Sequence, residues 1–452
     1  MDADRRMKYP WGRTMGKRVY IETWGCQMNL HQSEGVAGAM TRAGYTLVDR
    51  LHSADVVLFN GCMVRQKAEE KVYGRIGAVI EQKRKRDVTL GVGGCLGQVH
   101  GESLLKRFPA IDFVFGSGGH GSLPSLVSRA RDGSPRFVEC GRRTTIDEIP
   151  YVRKSRVGAM VTITEGCSNF CSYCIVPYAR GPMRSRNPES ILREVEDAMQ
   201  SGAREVLLLG QNVNAYGTDR PELGGFAALL TRVADTGISR VRFTTSHPRD
   251  MTDDVLDVMA STTNICNHLH LPMQSGSDRI LVAMNRGYTV ARYMEIVDAA
   301  RGRMDGLNVT TDLIVGHPGE TEADFAQTMH VIDEVRFGSI FAAKYSSRPL
   351  TRSARVEDDV SEQEKGGRLE RVLAHQRRIA LEENERLIGR DVEVLFEAIA
   401  RDGGCVGRAE DHRTVVARGG TIGELATVRI DGASAAGLSG SMVAHKETEE
   451  RR

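Results

Sequence analysis

Six of the nine cysteines are arranged so that they could hold metal. Three of them form a tight C-x-x-x-C-x-x-C group directly after a strand-like run: Cys167, Cys171 and Cys174. Three others are far apart in the sequence, and each follows a strand-like run of its own: Cys26, Cys62 and Cys95. The last three are isolated, and we expect them to be small, partly buried residues: Cys140, Cys266 and Cys405.

The tight group predicts a four-iron cluster in which one iron has no protein ligand. A [4Fe-4S] cluster takes one ligand per iron, so three thiolates from a single loop leave one iron open. S-adenosylmethionine (SAM) can chelate an open iron through its amino and carboxylate groups. Electron transfer into its sulfonium then breaks a C–S bond and gives a carbon radical. The alternatives are a chance or structural grouping of cysteines and a zinc site, which would want a fourth protein ligand.

The dispersed cysteines depend on the fold to bring them together. Strand-like runs (RVYIETWGC, ADVVLFNGC and VTLGVGGC) alternate with helical stretches at Ser33–Ala43 and Gln66–Arg86, which is the pattern of a parallel sheet. Because ligands of open α/β sheets bind at the carboxyl ends of the strands, three cysteines at equivalent strand ends could converge on one point. On these residues alone, ordinary core cysteines remain the alternative.

The composition is that of a soluble globular protein, with 40% hydrophobic and 27% charged residues. No apolar run approaches the roughly 18 residues of a membrane-spanning helix, and the first residues lack the apolar core of a signal peptide. We therefore expect a cytoplasmic protein whose thiols stay reduced. The net charge of only +2 means that any nucleic-acid-binding face must be local.

The middle of the chain, from about Val157 to Ser347, holds six strand-like runs that alternate with helices. Two of these helices are predicted at Glu189–Gln200 and Glu322–Val335, and the second shows apolar residues at helical spacing. Six strand–helix units predict a partial (β/α)6 barrel with its active site at the carboxyl ends of the strands. A charged helix over Ser361–Leu387 follows.

The C-terminal part contains short strands with glycine-rich turns, DVEVLFEAIA, TVVARGG and ATVRIDGA, which predict a small β-barrel. An α/β fold with three domains is therefore expected. Its predicted segments are a flexible tail (1–17), an N-terminal parallel α/β domain (18–142), the partial barrel with its linker helix (150–385) and the C-terminal β-barrel (386–447).

Polar residues at the predicted strand ends are the candidates for the amino, carboxylate and ribose groups of SAM: Gln211, Asn212, Ser246, Gln274 and Asp312. Two arginines close to the cysteine loop, Arg180 and Arg186, could meet the SAM carboxylate or a substrate phosphate, and a solvated charged rim is the alternative for both. Three histidines near strand ends are interpreted as core or rim residues rather than catalytic ones: His247, His268 and His270.

Six motifs, taken in order, resemble those of the radical-SAM methylthiotransferases. They are TWGCQMNLHQSE, NGCMVRQKAEEKV, GGCLGQ, GCSNFCSYCIVPYARG, LPMQSGSDRILVAMNRGYT and GHPGET. The resemblance covers roughly Arg18 to His445. It implies an N-terminal methylthiotransferase domain, a radical-SAM domain and a C-terminal TRAM domain. It also implies a second [4Fe-4S] cluster on Cys26, Cys62 and Cys95.

The chemistry implied by the resemblance uses SAM twice, as methyl donor and as radical source. The radical takes hydrogen from an unactivated C–H bond, so no acid–base residue is expected and the two clusters carry the chemistry. A TRAM barrel implies RNA binding, for which Arg408 and Arg413 are the candidates. No cluster cysteine lies in that barrel, so we expect it to be separable from the rest. The implied partners are tRNA, through its anticodon stem-loop, and a reductant such as flavodoxin or ferredoxin, with the enzyme acting as a monomer.

The residues after the first cysteine, Gln27–Met28–Asn29, resemble the MiaB-type branch, which acts on N6-isopentenyladenosine next to the tRNA anticodon. Because these residues follow a cluster ligand, we expect them to line the entry of the target base, with Met28 as a soft wall. The alternatives are methylthiolation of N6-threonylcarbamoyladenosine in tRNA, methylthiolation of a ribosomal-protein aspartate, and a metal-stabilised RNA-binding protein without activity.

Some positions depart from the family pattern: Met183 stands where a glutamate is usual, and Pro182 is also unusual. Ser347 and Leu350 replace a typical Pro and Gly, Gly61 a common Thr, and His412 a more usual Asn. None of these removes a cluster ligand. The first four bear on substrate positioning.

Overall fold

The computed structural model describes residues 17–64, 66–141, 151–400 and 403–443. Of the predicted flexible tail, all but Lys17 lies outside the described residues. The described residues form two compact units: one contains those up to Lys154 together with Ile175–Pro182, and the other contains Ser155–Cys174 and those from Met183 onward. None of the described helices is long and apolar enough to cross a membrane.

The first unit is built on a six-stranded sheet of order β2-β1-β3-β4-β5-β6. Every pairing in it is parallel. The two central strands β3 and β4 are buried along their whole length, as expected for a parallel sheet covered on both faces. The strands are β1 Arg18–Trp24, β2 Thr46–Leu47, β3 Val56–Gly61, β4 Thr89–Gly94, β5 Phe113–Phe115 and β6 Phe137–Glu139.

Helices cover this sheet, and the segment after the C-x-x-x-C-x-x-C group adds a short one. They are α1 Gln27–Arg42, α2 Gln66–Lys83, α3 Cys95–Arg107, α4 Leu123–Arg131 and α5 Val176–Arg180. The predicted start of the first helix at Ser33 is wrong, because α1 begins at Gln27 directly after Cys26. Its polar first turns lack apolar periodicity, yet they are held by specific contacts such as Thr23 Oγ1 to Ser33 Oγ at 2.6 Å.

The second unit contains the predicted partial barrel as two parallel three-stranded sheets, β11-β10-β7 and β12-β13-β14. The α/β class and the barrel are therefore confirmed. A short antiparallel pair, β8 with β9, follows the first barrel strand. The strands are β7 Gly158–Thr162, β8 Thr164–Glu165, β9 Arg184–Ser185, β10 Glu205–Leu209, β11 Arg240–Phe243, β12 His268–His270, β13 Asn308–Val315 and β14 Ser339–Lys344.

Helices pack outside these strands and bury the side chains that alternate along them. Val206, Val241, Leu269 and Val309 belong to this helix-facing core. Because strand side chains alternate, Arg242, His270 and Thr310 face the other side, which is the barrel interior. The helices are α6 Pro188–Gln200, α7 Phe226–Ala234, α8 Asp253–Ser261, α9 Asp278–Ala283, α10 Val290–Arg303, α11 Glu322–Val335 and α12 Glu362–Glu385.

The C-terminal part is a closed five-stranded barrel of order β15-β16-β17-β19-β18, which confirms the predicted small β-barrel. Its strands are β15 Asp391–Ile399, β16 Cys405–Ala409, β17 Thr414–Arg418, β18 Leu425–Ser434 and β19 Gly437–Met442. The prediction missed β16 and β19, whose CVGRA and GLSGSM sequences are rich in small residues and carry little strand signal.

The loop of residues 407–413, which we call the docking loop, packs against the amino ends of the partial-barrel strands. Arg240 Nη1 donates to the carbonyl of Arg408 at 2.7 Å. Arg242 donates to the carbonyls of Ala409 and Glu410, each at 2.7 Å. Asn308 Nδ2 donates to the carbonyl of Asp411 at 2.7 Å. The C-terminal barrel therefore closes the end of the partial barrel opposite the strand ends where the active site is expected.

Candidate active site

The three dispersed cysteines follow three neighbouring strands of the first sheet. In the register of that sheet, Trp24 at the end of β1 pairs with Gly61, and Gly61 pairs with Gly94. Cys62 and Cys95 come directly after these aligned positions and Cys26 comes two residues after Trp24, so the parallel strands bring the three thiols to one edge. That edge lies at the reversal of strand order between β1 and β3, the usual ligand site of such a sheet.

Glycines make room for the thiols at this edge. A Cβ added at Gly25 would lie 2.5 Å from the Cβ of Cys62. Gly94 has a φ of +76° and leaves no space for a side chain, because a Cβ there would lie 2.1 Å from Oδ1 of Asn60. Asn60 in turn donates to the carbonyl of Asn29 at 2.9 Å, which fixes the first turn of α1 beside Cys26.

The environment favours an ionised thiol at this site. Hydrogen bonding from Cys62, the charge of Arg180 and backbone amides at the start of α1 lower the pKa of Cys26 to about 5. The same pairing and burial raise the pKa of Cys62. Cys26 occupies the N-cap position of α1, where the helix dipole stabilises a thiolate.

Arg180 lies beside the dispersed cysteines. It ends α5, which belongs to the first unit, and its Nη2 donates to Oε1 of Gln32 at 3.2 Å. Ser117 holds the end of the same helix by donating to the carbonyl of Ala179 at 2.7 Å. Within the first unit, Arg180 therefore lies close enough to Cys26 for its charge to act on that thiol.

The tight cysteine loop is held from several sides within the second unit. The backbone N–H of Gly166 donates to Oε1 of Gln211 at 2.5 Å, which fixes the entry to the loop. The backbone N–H of Ser172 donates to the carbonyl of Met284 at 2.9 Å. Cys167 and Cys171 are buried and Cys174 is half-buried. Burial also raises the pKa of Cys167.

Buried polar atoms without a partner gather at the carboxyl ends of the barrel strands. Within the described part of the chain, six such atoms follow β7, β10 and β11 and form no hydrogen bond: Thr164 Oγ1, Gln211 Nε2, Asn212 Oδ1, Thr244 Oγ1, Ser246 Oγ and His247 Nε2. Buried polar groups are normally satisfied, so their concentration here indicates a polar ligand. Three of the residues predicted to contact SAM belong to this group: Gln211, Asn212 and Ser246.

The other two predicted SAM residues lie on the second sheet of the barrel. Gln274 has a positive φ of +73°, and its backbone N–H donates to the carbonyl of Asp312 at 2.8 Å. The Asp312 side chain is 39% exposed and lies 3.7 Å from Nε2 of His270. Thr245 also has a positive φ, of +68°, which is unusual for a β-branched residue and marks local strain beside Ser246.

His247 belongs to the unsatisfied group, although it was interpreted as a core or rim residue. Its Nδ1 accepts from the backbone N–H of Arg249 at 3.2 Å, so in the neutral ring the proton lies on the unpartnered Nε2. Burial and two nearby arginines lower its pKa to about 2. His268 and His270 are satisfied by Thr310, at 2.9 and 3.0 Å, as interpreted.

Two of the arginines predicted for the site are bonded to other protein groups. Arg186 is buried and donates to Glu194 at 2.6 Å and to the carbonyl of Thr162 at 2.8 Å, so it is a structural ion pair rather than a SAM ligand. Arg413 pairs with Asp411 and with Asn384 at 2.8 Å, which removes it as a ready phosphate ligand. Arg408 is more exposed, and its Nη1 makes a long contact of 3.3 Å with the carbonyl of His412.

Two residues that depart from the family pattern have distinct surroundings. Met183 is buried, and its backbone N–H donates to Oγ of Ser168 in the cysteine loop at 3.2 Å. Leu350 has a φ of +71° and is 56% exposed. The glycine that is typical there would adopt this conformation without strain.

The chemistry of the two donor sets is that of iron–sulfur clusters, because each set supplies three cysteine thiols. No three His, Cys, Asp or Glu side chains in the described ranges are close enough together to hold one metal ion. A four-iron cluster is wider than one ion and is held by thiolates, which both cysteine sets supply. The unsatisfied polar atoms beyond the tight loop fit the amino, carboxylate and hydroxyl groups of SAM.

Arg286 and Asn285 were not singled out from the sequence, although both contact the tight loop. Asn285 Nδ2 donates to the carbonyl of Phe170 at 3.1 Å, and Arg286 Nη1 lies 3.5 Å from Sγ of Cys171. Both stand in the MNRGYT run of one of the motifs. Nothing in that run distinguishes a buried arginine from a surface one.

Three family models match the chain. The model described as Uncharacterized protein family UPF0004 matches residues 18–116. The Radical SAM superfamily model matches residues 161–332, and the TRAM domain model matches residues 385–443.

Similar proteins of established name cover nearly the whole chain. A tRNA-2-methylthio-N(6)-dimethylallyladenosine synthase of Carboxydothermus hydrogenoformans is 43% identical over 437 residues, which cover 94% of this chain and 99% of the relative. The protein of that name from Geobacter sulfurreducens is 42% identical over 442 residues, covering 96% and 99%. That from Mycobacterium ulcerans is 42% identical over 459 residues, covering 96% and 86%.

Solved structures with similar folds are radical SAM enzymes. The methyltransferase TsrM from Kitasatospora setae, with cobalamin and a [4Fe-4S] cluster bound, superposes with a TM-score of 0.57 at 14% identity, covering 83% of this chain and 76% of that one. The cobalamin-dependent enzyme OxsB superposes with a TM-score of 0.53 at 11% identity, covering 75% and 54%. At these identities the likeness shows the fold alone.

Proposed function

The chain belongs to the tRNA-2-methylthio-N(6)-dimethylallyladenosine synthase family of radical SAM enzymes, and on that premise we propose that it adds a methylthio group to C2 of N6-isopentenyladenosine next to the tRNA anticodon. SAM serves as both methyl donor and radical source. The observation that carries the proposal is the pair of cysteine sets, one at three neighbouring strand ends and one in a single loop.

Each cysteine set is proposed to hold one [4Fe-4S] cluster. Cys167, Cys171 and Cys174 hold the cluster that binds SAM, and this group supplies the electron that opens the sulfonium. The second set, Cys26, Cys62 and Cys95, holds the cluster at which sulfur is delivered. Arg180, beside Cys26, supplies positive charge that favours thiolate ligands there.

The unsatisfied polar groups at the barrel strand ends are proposed to bind SAM. Gln211 and Asn212 suit its amino and carboxylate groups, because an amide both donates and accepts. The hydroxyl of Ser246 and the Nε2–H of His247 provide two further hydrogen-bonding groups at the same strand ends. Gln274 and Asp312 complete the set from the second sheet. Closure of this site by substrate would keep water from the radical.

Substrate selection is proposed to begin at the residues after Cys26. Met28 is only 5% exposed, and Asn29 is bonded to Asn60 at 3.2 Å, so both are part of the first unit's interior. Gln27 is the exposed member of the three. The expectation that Met28 forms a soft wall of the base pocket is therefore revised in favour of Gln27 as the residue available to the substrate.

The remaining partners follow from the same proposal. An anticodon stem-loop would present the adenine unstacked from its neighbours, as enzymes acting on a base require. Arg408 is retained as an RNA contact, and a flavodoxin or ferredoxin is the proposed reductant. We propose a cytoplasmic monomer with domains at 18–142, 150–385 and 386–447; residues 142–150 and 444–447 lie outside the described structure.

Two triple alanine variants test the cluster assignment. Replacing Cys167, Cys171 and Cys174 should abolish SAM cleavage and leave about half of the iron. Replacing Cys26, Cys62 and Cys95 should remove the other half, leave SAM cleavage intact and stop methylthiolation. Cys140→Ala, at a cysteine outside both sets, is the matched control and should change neither. Methylthiolation by the second triple variant would refute the two-cluster assignment.

A further inference from the structure

The residues 284–286 form a bracket over the tight cysteine loop. The carbonyl of Met284 accepts from the backbone N–H of Ser172 at 2.9 Å. Asn285 donates to the carbonyls of Asn169 at 3.3 Å and Phe170 at 3.1 Å. Its φ of +56° turns the chain so that the next residue, Arg286, points at Cys171.

Arg286 is a buried cation whose charge has no carboxylate partner. It is only 4% exposed, and no Asp or Glu of the described residues forms an ion pair with it. Its guanidinium donates to the carbonyl of Pro272 at 2.8 Å, to the hydroxyl of Tyr288 at 3.5 Å and to Sγ of Cys171 at 3.5 Å. The hydroxyl of Tyr288 is neutral near pH 7.

A buried charge without a counter-ion is too costly to be incidental. Other buried arginines of the second unit show the contrast: Arg368 pairs with Glu320 at 2.9 Å, and Arg242 pairs with Glu205 at 2.7 Å. The anionic groups that the surroundings of Arg286 can supply are the cysteine thiolates, and its charge also acts on Cys167.

We propose that Arg286 is the counter-ion of the cluster on Cys167, Cys171 and Cys174 and raises its reduction potential. This inference rests on the proposed function, because it requires a cluster on those three cysteines. Reduction adds one electron, taken from a low-potential donor such as a reduced flavoprotein or ferredoxin. A fixed cation stabilises the more negative reduced state more than the oxidised state. Hydrogen bonds to ligand sulfurs shift cluster potentials in the same direction.

The role proposed for Arg286 is positioning and tuning, and Arg286 is not itself a catalytic residue. Arginine suits it because the guanidinium remains charged when buried and its fork can serve a sulfur and a carbonyl together. A lysine would keep the charge but could not make both contacts in the same geometry. The effect of Arg286→Lys is therefore expected to be smaller than that of a neutral replacement.

The test is a potentiometric titration followed by electron paramagnetic resonance, on full-length protein carrying its clusters. The signal that changes on SAM addition identifies the cluster of interest. Arg286→Met and Arg286→Gln should retain iron and shift the midpoint of that signal to lower potential, with Arg286→Lys in between. SAM cleavage by the neutral variants should be slow with dithionite and recover with the stronger reductant titanium(III) citrate.

Arg368→Met is the matched control, because it removes a buried arginine that pairs with a carboxylate, Glu320, and has no hydrogen bond to a cysteine among the described residues; it should leave the midpoint unchanged. An unchanged midpoint in a neutral Arg286 variant would overturn the inference. Loss of iron from both neutral variants would also overturn it, since that outcome means a structural role. Absence of any SAM-responsive signal in the unsubstituted protein would instead refute the proposed function.

Discussion

Replacing Arg242 tests whether the C-terminal barrel is an integral part of the radical-SAM unit. The Arg242 side chain is 2% exposed, and its Nε donates to Glu205 at 2.7 Å. Its two terminal nitrogens donate to the carbonyls of Ala409 and Glu410 in the docking loop. Arg242→Met would leave a buried carboxylate without its cation and two carbonyls without their donors.

The expected cost follows from the burial of the pair. Removing one partner of a buried ion pair typically destabilises a protein by about 3–5 kcal/mol. Since about 1.4 kcal/mol corresponds to a factor of ten, opening of the docking loop should become roughly 100- to 4,000-fold more frequent. Adding Glu205→Leu should return part of the loss, because it removes the unpaired carboxylate.

Hydrogen exchange measured by mass spectrometry is the assay. The backbone amides of Ala409 and His412 are bonded within the docking loop and should lose protection by that factor. Arg232→Met is the matched control: Arg232 pairs with Glu189, both are exposed, and such pairs contribute at most about 1 kcal/mol. Equal protection of the docking loop in the Arg242 variant and the unsubstituted protein would refute the proposed closure of the barrel.

Two further predictions concern the stability of the protein. The rings of His268 and His412 stack with their centroids 4.7 Å apart. Burial lowers the pKa of both histidines, that of His412 to about 3. The stability that the neutral His412 ring contributes is therefore present above about pH 6.5 and is lost as the pH falls from there toward 3. Denaturation at pH 5.5 should show a loss of stability from His412 of about 1.4 kcal/mol. His412→Asn, whose side chain suits the φ of +73°, should remove that part of the loss; an unchanged pH dependence would contradict the assignment. Leu350→Gly should stabilise the protein by up to about 1 kcal/mol, because glycine adopts the left-handed backbone conformation without strain. Leu373→Gly inside α12 is the control and should destabilise the protein by about 1 kcal/mol. A lower melting temperature for Leu350→Gly would contradict the strain argument.

Local sequence patterns predicted those parts of the site that depend on strand and loop position. The dispersed cysteines could be placed at strand ends because each follows a β-type run, and parallel strands end at one edge. The polar residues Gln211, Asn212 and Ser246 could be placed in the same way. Capping also marks boundaries locally: Thr321 and Asp324 form a capping box, and α11 begins at the predicted Glu322.

Contacts between distant segments could not be predicted from spacing. Arg413 was predicted to contact RNA, but only the fold shows that Asn384 of α12, 29 residues earlier in the chain, accepts a hydrogen bond from its guanidinium. Arg286 is one of many arginines in the sequence, and only the fold shows that it is buried against Cys171. The hydrogen bonds from Arg240, Arg242 and Asn308 to the C-terminal barrel could not be predicted for the same reason, because long stretches of chain separate the partners.

The preference of the enzyme between two modified nucleosides tests the proposed function most directly. Purified enzyme with both clusters, SAM and a reductant would be given two anticodon stem-loops, one with N6-isopentenyladenosine and the other with N6-threonylcarbamoyladenosine. Mass spectrometry of the digested RNA should show a methylthio group gained only on the isopentenyl nucleoside. The threonylcarbamoyl group carries a carboxylate that would want a cation, whereas the exposed residue after Cys26 is the neutral Gln27. Methylthiolation of the threonylcarbamoyl nucleoside in preference to the other would contradict the proposed function.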